Sequence, residues 1–332
     1  MDKKFKEGSG IQMISYKNKE LKQAVQPTDF LTLADFTKEE LFQLIEYGCY
    51  LKEQQKKGIP HRLLEGKTLA MIFEKPSTRT RVSFETGMFQ LGGHALFLTK
   101  NDLQLGNGET IADTAKTLSE YVDGIMVRTF EHENVTTLAE NAPIPIINGL
   151  SNDDHPCQVL ADLMTIYEMK GSFENITLTY VGDGNNMAQS LVIGCAIMGI
   201  NCTISGPEGY EIDEEIFYKA KQLGKNSGAI ITHTYDPIKA VQDADIIYTD
   251  VWASMGWEDE AESRVDHFKP YQVNEKLMNE ANEDCLFFHC LPAKRGEEVS
   301  ADVIDGPQSV VFEQAANRLH IQKSILITCM QG

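Results

Sequence analysis

The feature that most constrains this fold is the regular alternation of short apolar segments with helical patterns. A first series predicts strands at 68–73, 94–98, 124–129 and 144–148, with helices at 78–91, 110–122 and 134–140. A second series predicts strands near 176–181, 201–205, 229–233, 245–250 and 285–290, with helices near 186–198, 213–223, 237–242 and 271–280. Apolar strands that alternate with helices indicate parallel sheets covered on both faces. We therefore expect an α/β fold with two doubly wound parallel-sheet domains.

The two series predict two domains that meet near residue 150. We expect one domain over residues 1–150 and the other over 151–312. The last helical pattern, about 313–328, has no strand after it, so the segment 313–332 is expected to pack back on the first domain. Ligands of open α/β sheets bind at the carboxyl ends of strands. This placement predicts a site in a cleft between the two domains.

Composition and charge narrow the class of protein and its partners. The 332 residues are 42% apolar and 24% charged, which is typical of a globular chain. The net charge of −19 argues against nucleic acid and anionic membranes as partners. The seven cysteines form no CxxC pair, and the first 27 residues lack the apolar core of a signal peptide. A cytoplasmic location is therefore expected.

The segment after the first strand predicts an anion site. Pro76 breaks the strand, and Ser77 and Thr78 suit the N-cap of the following helix. The free N–H groups and dipole at a helix start favour an anion, and two guanidiniums, Arg79 and Arg81, lie in the same turn. A capped surface helix with solvated arginines is the alternative. In an acidic chain, this cluster favours a phosphate.

Arg128 ends another apolar strand of the same predicted sheet. An arginine in this position can form a structural ion pair. Together with Arg79, it could also bind phosphate oxygens through paired N–H donors, as planar guanidiniums do. The second interpretation strengthens the predicted phosphate site.

His155 and Gln158 open the helix at the domain boundary. They lie three residues apart in the run His-Pro-Cys-Gln and so share one helix face. A single histidine is more often structural than catalytic, but Gln158 adds a donor and an acceptor beside it. A small carbonyl or amide group is a plausible target. Because no second histidine stands at ligand spacing, no metal is predicted.

The run 182–187, Gly-Asp-Gly-Asn-Asn-Met, follows a strand and opens a helix. It suggests a dinucleotide-binding turn, but Met187 replaces the third glycine and no acidic residue ends the next strand. NAD is therefore disfavoured as a ligand. Asn185 and Asn186 at the helix start could instead hold a carboxylate.

Two further strand ends carry candidate site residues. Asp250 precedes the small-residue loop Ser254-Met255-Gly256, and it could cap a helix or pair with a substrate ammonium. Cys290 stands two residues before Pro292 at the end of the last predicted strand. Buried cysteines are usually inert. Its place at the mouth of a cleft makes Cys290 the best site candidate of the seven.

Together these motifs resemble the aspartate/ornithine carbamoyltransferase family over nearly the whole chain. The run 77–80, Ser-Thr-Arg-Thr, is similar to the family's carbamoyl-phosphate signature, and 155–158 is similar to its H-P-x-Q element. Asp250 with 254–256, and 289–292 (His-Cys-Leu-Pro), are similar to elements of members that use ornithine. The resemblance implies carbamoyl transfer from carbamoyl phosphate to the δ-amine of L-ornithine, in arginine metabolism, without a metal or organic cofactor.

The resemblance also implies residue roles. A carbamoyl-phosphate site would comprise Ser77, Thr78, Arg79, Thr80, Gln104, Arg128, His155, Gln158, Cys290, Leu291 and Arg318. An ornithine site would comprise Asn186, Asp250, Ser254 and Met255. Catalytic roles would fall to Arg79, His155, Asp250, Cys290 and Arg318. Gln104 lies in a loop that reaches a neighbouring subunit in this family, which implies a homotrimer or a multiple of trimers.

Other functions remain open at this point. A putrescine carbamoyltransferase has no need for the Asp250 arrangement, because putrescine lacks the α-carboxylate. An aspartate enzyme should place extra cations for a second carboxylate, and the loop 101–109 contains none. An NAD-dependent oxidoreductase rests on the glycines at 182 and 184. A non-catalytic ligand-binding or scaffolding relative is the remaining alternative.

Overall fold

The structure is a computed structural model that describes residues 29–104, 108–253 and 261–331. The first half comprises α1 (Lys38–Lys56), β1 (Thr68–Phe73), α2 (Thr78–Gln90), β2 (His94–Thr99), α3 (Ile111–Ser119), β3 (Gly124–Arg128), α4 (His132–Asn141) and β4 (Ile146–Leu150). The second half comprises α5 (Pro156–Lys170), β5 (Thr177–Val181), α6 (Asn186–Met198), β6 (Asn201–Ser205), α7 (Glu214–Ser227), β7 (Ile231–Thr234), α8 (Pro237–Val241), β8 (Ile246–Thr249), α9 (Ala261–Phe268), α10 (Glu275–Met278), β9 (Leu286–His289), α11 (Ala301–Ile304) and α12 (Val311–Met330).

The strands form two separate parallel sheets, which confirms the predicted fold class. The first sheet has the order β2-β1-β3-β4 and the second has the order β7-β6-β5-β8-β9. In each sheet successive strands are first added on one side and then on the other. The reversal lies between β1 and β3 in the first sheet and between β5 and β8 in the second. Ligands of doubly wound sheets bind at such reversal points, beyond the carboxyl ends of the strands.

Burial follows the alternation of side chains along the strands. In β1, Leu69 and Met71 face the large core that also contains α1, α2, α5 and α12, whereas Ala70 and Ile72 face a smaller core under α3 and α4. The last helix, α12, packs against α1, α2 and α5. Because α5 follows the first sheet and precedes the second, α12 contacts the connection between the two halves.

One predicted helix, near 271–280, is much shorter in the structure than the sequence predicts. The structure has a short 3-10 turn at Lys269–Tyr271 and then the short helix α10. Between them Val273 donates its N–H to the carbonyl of Glu298 at 2.9 Å and forms an isolated bridge with Val299. Asn274 then caps α10 by accepting from the N–H of Leu277 at 3.2 Å. The tertiary pairing of Val273 interrupts the helical pattern.

The described part of the chain contains no candidate for a membrane-spanning helix. None of its helices combines the length and the apolar composition that spanning a bilayer requires.

Candidate active site

One cavity of about 770 Å³ opens at the carboxyl ends of the central strands of both sheets. Its walls come from the segments after β1, β3 and β4 in the first half and after β5, β8 and β9 in the second, together with residues of α5, α9 and α12. Ten of the predicted site residues line it: Ser77, Arg79, Arg128, His155, Gln158, Asn186, Asp250, Cys290, Leu291 and Arg318. The cavity therefore joins both predicted half-sites.

The N-terminus of α2 forms part of the first wall of the cavity. Ser77 is the N-cap, and its Oγ accepts a hydrogen bond from the N–H of Thr80 at 3.2 Å. The Ser77 hydroxyl also donates to Oγ1 of Thr80 at 3.1 Å. Thr80 is fully buried under the turn, whereas Arg79 lines the cavity. The cap thus fixes a helix start whose remaining N–H groups and dipole favour an anion.

Arg128 lies beside this helix start because of the strand register. β1 and β3 pair in parallel with Phe73 opposite Arg128, and the N–H of Glu74 donates to the carbonyl of Arg128 at 2.8 Å. The carboxyl ends of the two strands are therefore adjacent, as the sequence predicted. The Arg128 side chain is buried and lines the cavity.

Arg318 reaches the same wall from α12. It donates from one terminal nitrogen to Oε1 of Gln158 at 2.6 Å and from the other to Oγ1 of Thr80 at 3.3 Å. The guanidinium is almost fully buried. Arg318 therefore links the anion-binding turn of α2 to the first turn of α5, which are far apart in the sequence.

The three arginines give this wall a strong positive potential. Burial, with Arg318 and Arg79 close by, lowers the pKa of Arg128 to about 9. Burial also lowers the pKa of Arg318. An anion in the cavity would relieve both the desolvation of these cations and their mutual repulsion. The wall is therefore suited to a multiply charged anion such as a phosphate.

His155 lies at the junction of the two halves as the N-cap of α5. Its backbone N–H donates to Oγ of Ser190 at 2.7 Å, which fixes it to α6. Burial, and then the nearby arginines, hold the pKa of His155 well below its usual range, so the imidazole is neutral near pH 7. Within the described residues its Nδ1 has no hydrogen-bond partner. A neutral ring with a spare nitrogen can contact a polarised carbonyl.

Asp250 and Cys290 form the opposite wall. β8 and β9 pair in parallel with Thr249 opposite His289, so the residues that follow them are neighbours. The Sγ of Cys290 contacts Oδ1 of Asp250 at 3.0 Å, and Nδ2 of Asn185 donates to Oδ2 of Asp250 at 3.0 Å. Burial and the adjacent Asp250 raise the pKa of the Cys290 thiol. This wall presents a carboxylate and a protonated thiol, which suit an ammonium or amine.

The turn after β9 is held by a buried pair that the sequence did not reveal. Leu291 has a φ of 58°, in the left-handed region that is costly for residues other than glycine. Its N–H donates to Nδ1 of His289 at 2.8 Å. Nε2 of His289 therefore carries the hydrogen that is directed at Oε1 of Glu298, 3.2 Å away. This chain of contacts supports the strained turn that places Cys290 and Leu291 in the cavity.

The segment 182–187 at the start of α6 serves packing and positioning. A Cβ on Gly184 would lie 2.3 Å from the carbonyl carbon of Glu211, so the glycine accommodates a crossing chain rather than a pyrophosphate. Asn185 caps α6 by accepting from the N–H groups of Met187 and Ala188. Asn186 lines the cavity and donates to the carbonyl of Ser151 at 2.6 Å. The dinucleotide interpretation loses its main support.

Three of the described site residues that the sequence predicted do not line the cavity, and two more predicted residues lie outside the described part of the chain. Thr78 and Thr80 belong to the α2 turn without lining the cavity, although Thr80 contacts Arg318. Gln104 also lies outside the lining of this chain's own cavity. Ser254 and Met255 lie outside the described residues, so their predicted roles are neither supported nor opposed.

Sequence reasoning missed several residues of the site. Lys75 lines the cavity and donates to Oδ1 of Asn152 at 2.6 Å, and its place directly before the predicted phosphate turn could have identified it. Arg264 and Asp183 also line the cavity and form an ion pair at 2.8 Å. Their partnership joins positions 81 residues apart, for which the sequence carries no signal.

One group of potential metal ligands occurs among the described residues. The ligand atoms of Asp250, His289 and Cys290 lie within 4.8 Å of one another. Each already has a protein partner: Asp250 contacts Cys290, and His289 contacts Leu291 and Glu298. These contacts account for the cluster without an ion, and the absence of a metal stays a prediction.

The fold and the cavity define a two-domain α/β protein that can hold an anion and an amine face to face. Comparison with known proteins agrees with that class. The family model described as "Aspartate/ornithine carbamoyltransferase, carbamoyl-P binding domain" matches residues 28–168, and "Aspartate/ornithine carbamoyltransferase, Asp/Orn binding domain" matches residues 174–329. The chain belongs to the aspartate/ornithine carbamoyltransferase family.

Individual relatives cover nearly the whole chain. A protein named ornithine carbamoyltransferase from Anoxybacillus flavithermus is 59% identical over 302 residues, which are 91% of this chain and 96% of that protein. The solved structure of ornithine carbamoyltransferase from Pyrococcus furiosus is 57% identical, with a TM-score of 0.89 over 92% of this chain and 97% of that one. The anabolic ornithine carbamoyltransferase from Campylobacter jejuni is 44% identical, with a TM-score of 0.84 over 90% and 97%.

Proposed function

We propose that this protein transfers the carbamoyl group of carbamoyl phosphate to the δ-amine of L-ornithine, giving L-citrulline and phosphate. The observation that carries the proposal is a single cavity with three arginines on one wall and the Asp250–Cys290 pair on the other. The identity of 55–59% to eight relatives named ornithine carbamoyltransferase supports the same reaction.

In this proposal the first wall binds carbamoyl phosphate. The phosphate accepts from backbone N–H groups at the start of α2 and from Arg79 and Arg128, with the hydroxyls of Ser77 and Thr78 beside it. His155 and Arg318 donate to the carbamoyl oxygen, and Oε1 of Gln158 accepts from the carbamoyl NH₂. The negative charge of the ligand pairs with the three arginines. Ion pairs and hydrogen bonds formed on binding therefore increase the affinity for carbamoyl phosphate.

The second wall binds ornithine. Asn186 and Asp250, with Ser254 and Met255, hold its α-amino and α-carboxylate groups. Cys290 and Leu291 then lie along the δ-amine. Because its pKa is raised, Cys290 stays a thiol near pH 7 and adds no negative charge that would keep the amine protonated. The neutral amine is the form that can attack.

The reaction balances without a cofactor. The δ-nitrogen attacks the carbamoyl carbon and forms a tetrahedral intermediate whose oxyanion receives hydrogen bonds from the groups around it. The bond from that carbon to the bridging oxygen of the phosphate then breaks. Phosphate leaves with the bonding electron pair and accepts the proton that the amine gives up. Placing both substrates in one cavity removes much of the entropic cost of their meeting.

An acceptor panel tests the proposal. The purified full-length chain is incubated with carbamoyl phosphate and ornithine, putrescine, N-acetylornithine or aspartate, and ureido products are measured by colour. We expect turnover with ornithine and at most traces with the others. Preference for putrescine would reassign the acceptor, and turnover of none would reject the carbamoyltransferase activity.

We also propose an assignment of halves. Residues 1–150 with the segment 313–332 bind carbamoyl phosphate, and 151–312 bind ornithine. The packing of α12 against α1 and α2 supports the return of the C-terminal helix to the first half. The product citrulline relates the reaction to arginine metabolism. A cytoplasmic location fits the seven free cysteines, which a reducing compartment maintains.

We further propose a homotrimer, or a multiple of trimers, in which Gln104 completes the neighbour's site. β2 is an edge strand, and nearby α2 exposes Phe89 (80%) and Val82 (54%), an apolar surface that a second subunit could cover. Mixed assemblies of Gln104→Ala and Arg79→Ala chains test this. Recovery of activity on mixing supports a shared site, and its absence in assemblies shown to be mixed rejects it.

A further inference from the structure

A buried carboxylate lies behind the cavity where α5, α12 and the second sheet meet. Asp162 follows Gln158 by one turn of α5 and is fully buried. Its Oδ1 accepts from Nε2 of Gln158 at 2.8 Å and from Nε2 of Gln314 at 2.7 Å. Its Oδ2 accepts from the hydroxyl of Tyr248 at 3.0 Å. Asp162 does not line the cavity, so it reaches a substrate only through its neighbours.

The contacts with Asp162 and Arg318 together determine which end of the Gln158 amide faces the substrate. A carboxylate oxygen accepts hydrogen bonds, so Gln158 turns its NH₂ group toward Asp162. Its Oε1 then points the other way and accepts from Arg318 at 2.6 Å. A carbonyl oxygen has two lone pairs, and the second is left for a donor in the cavity.

This orientation survives a change in the protonation of Asp162. Burial raises the pKa of Asp162 to about 7, while the three donors around it favour the ionised form. A proton on Oδ2 would be directed at the oxygen of Tyr248. Oδ1 would remain an acceptor for Gln158 in either state.

We infer that Asp162 is a positioning residue that makes the site selective for a carbamoyl group over an acyl group of the same shape. The inference rests on the proposed function. A carbamoyl NH₂ can donate to Oε1 of Gln158, whereas the methyl of an acetyl group cannot. If the Gln158 amide were reversed, its own NH₂ would face the carbamoyl NH₂, and the preference would be lost.

The same carboxylate also steadies the opposite wall. Gln314, which donates to Asp162, accepts from the backbone N–H of His289 at 3.1 Å. His289 directly precedes Cys290. Asp162 is therefore linked to both walls of the cavity through single side chains.

Replacement of Asp162 by alanine tests the inference. The space can admit water, which donates as well as accepts, so the Gln158 amide loses one of the two contacts that orient it and keeps only the one with Arg318. The readouts are KM for carbamoyl phosphate and the competitive inhibition constant of acetyl phosphate. In Asp162→Ala we expect KM to rise roughly 10-fold to 100-fold while the inhibition constant changes less than about 3-fold. An unchanged ratio of the two constants would overturn the inference.

Two further variants separate selectivity from stability. Asp245→Asn alters a half-buried carboxylate of the same half that accepts from the N–H of Thr177 and from Asn282, and it should leave the ratio unchanged. Tyr248→Phe removes one donor to Asp162 but keeps the contact with Gln158, so it should also keep the ratio. If Tyr248→Phe had a normal melting temperature but no longer preferred carbamoyl phosphate over acetyl phosphate, the inference would be overturned, even if Asp162→Ala does not fold.

The outcomes distinguish this inference from the proposed function. No turnover of carbamoyl phosphate with ornithine by the wild-type chain rejects the function itself. Normal wild-type turnover, with equal selectivity in wild type and a folded Asp162→Ala variant, rejects only the role of Asp162.

Discussion

Replacement of Arg128 by methionine should make the unliganded protein more stable and much less active. Arg128 is 5% exposed, and its pKa falls from 12.5 to about 9. At about 1.36 kcal/mol per pH unit, this fall corresponds to a penalty of up to about 5 kcal/mol for keeping the charge in the folded state. Methionine has a similar length and carries no charge. It removes the penalty and also any favourable contact of the guanidinium, for which a hydrogen bond would contribute roughly 1 kcal/mol.

The net effect should be a stabilisation of about 1–3 kcal/mol, which at about 2–4 °C per kcal/mol raises the melting temperature by roughly 2–12 °C. Inorganic phosphate is a stable probe of the same wall. It should raise the melting temperature of the wild type by mass action but have little effect on Arg128→Met. Loss of a charge-assisted contact of about 1.5–3 kcal/mol should lower kcat/KM for carbamoyl phosphate at least 10-fold.

Differential scanning fluorimetry with and without phosphate, together with the ureido assay, measures all three effects. Arg62→Met is a matched control, because Arg62 is exposed, pairs with Glu65 and does not line the cavity. It should change neither the phosphate effect nor the activity. A variant Arg128→Met that melts below the wild type and still responds fully to phosphate would refute the electrostatic reasoning.

Three other substitutions test separate parts of the structure. Asp250→Asn should raise KM for ornithine and lower kcat while leaving the phosphate effect on melting intact; weakened phosphate binding with normal ornithine use would reassign Asp250. The pKa of His320 is lowered by burial from 6.5 to about 3, so the unfolded chain takes up a proton first and wild-type stability falls as pH drops from 6.5 toward 3. His320→Leu should lose less stability than the wild type in that range. If the free energy of urea unfolding fell by the same amount in both proteins between pH 7 and pH 4.5, the result would contradict this. Gly184→Ala places a Cβ against Glu211 and should cost at least about 1–3 kcal/mol in urea unfolding; an unchanged midpoint would show that the contact relaxes.

The parts of the site that the sequence could predict lie at the ends of parallel strands. In such sheets the register alone brings consecutive strand ends to one edge. That rule predicted Arg128 on the same side of the sheet as the turn after β1, and the structure places it there. Asp250 and Cys290 were each predicted at a strand end facing the cleft, and the register of β8 and β9 makes them neighbours. The helix N-cap at Ser77 could also be predicted from the sequence, because a cap depends only on residues within one turn.

The parts that could not be predicted depend on packing between distant segments. Asp162 stands in an apolar stretch of α5, and its role comes from Gln314 and Tyr248, 152 and 86 residues away. Glu298 supports the turn at Leu291 through His289, again by a tertiary contact. The helix predicted over 271–280 is shortened to Glu275–Met278 for the same reason, since the pairing of Val273 with the 298–300 segment interrupts it. Each of these outcomes depends on tertiary contacts that periodicity does not encode.

The most direct test is a crystal structure with carbamoyl phosphate and L-norvaline, an ornithine analogue that lacks the attacking δ-amine and so cannot react. The account predicts phosphate oxygens within hydrogen-bond distance of Arg79 and Arg128. It also predicts the α-amino group at Asp250, and the end of the norvaline side chain between Cys290 and the carbamoyl carbon. A phosphate bound away from the start of α2, or norvaline outside this cavity, would contradict the account.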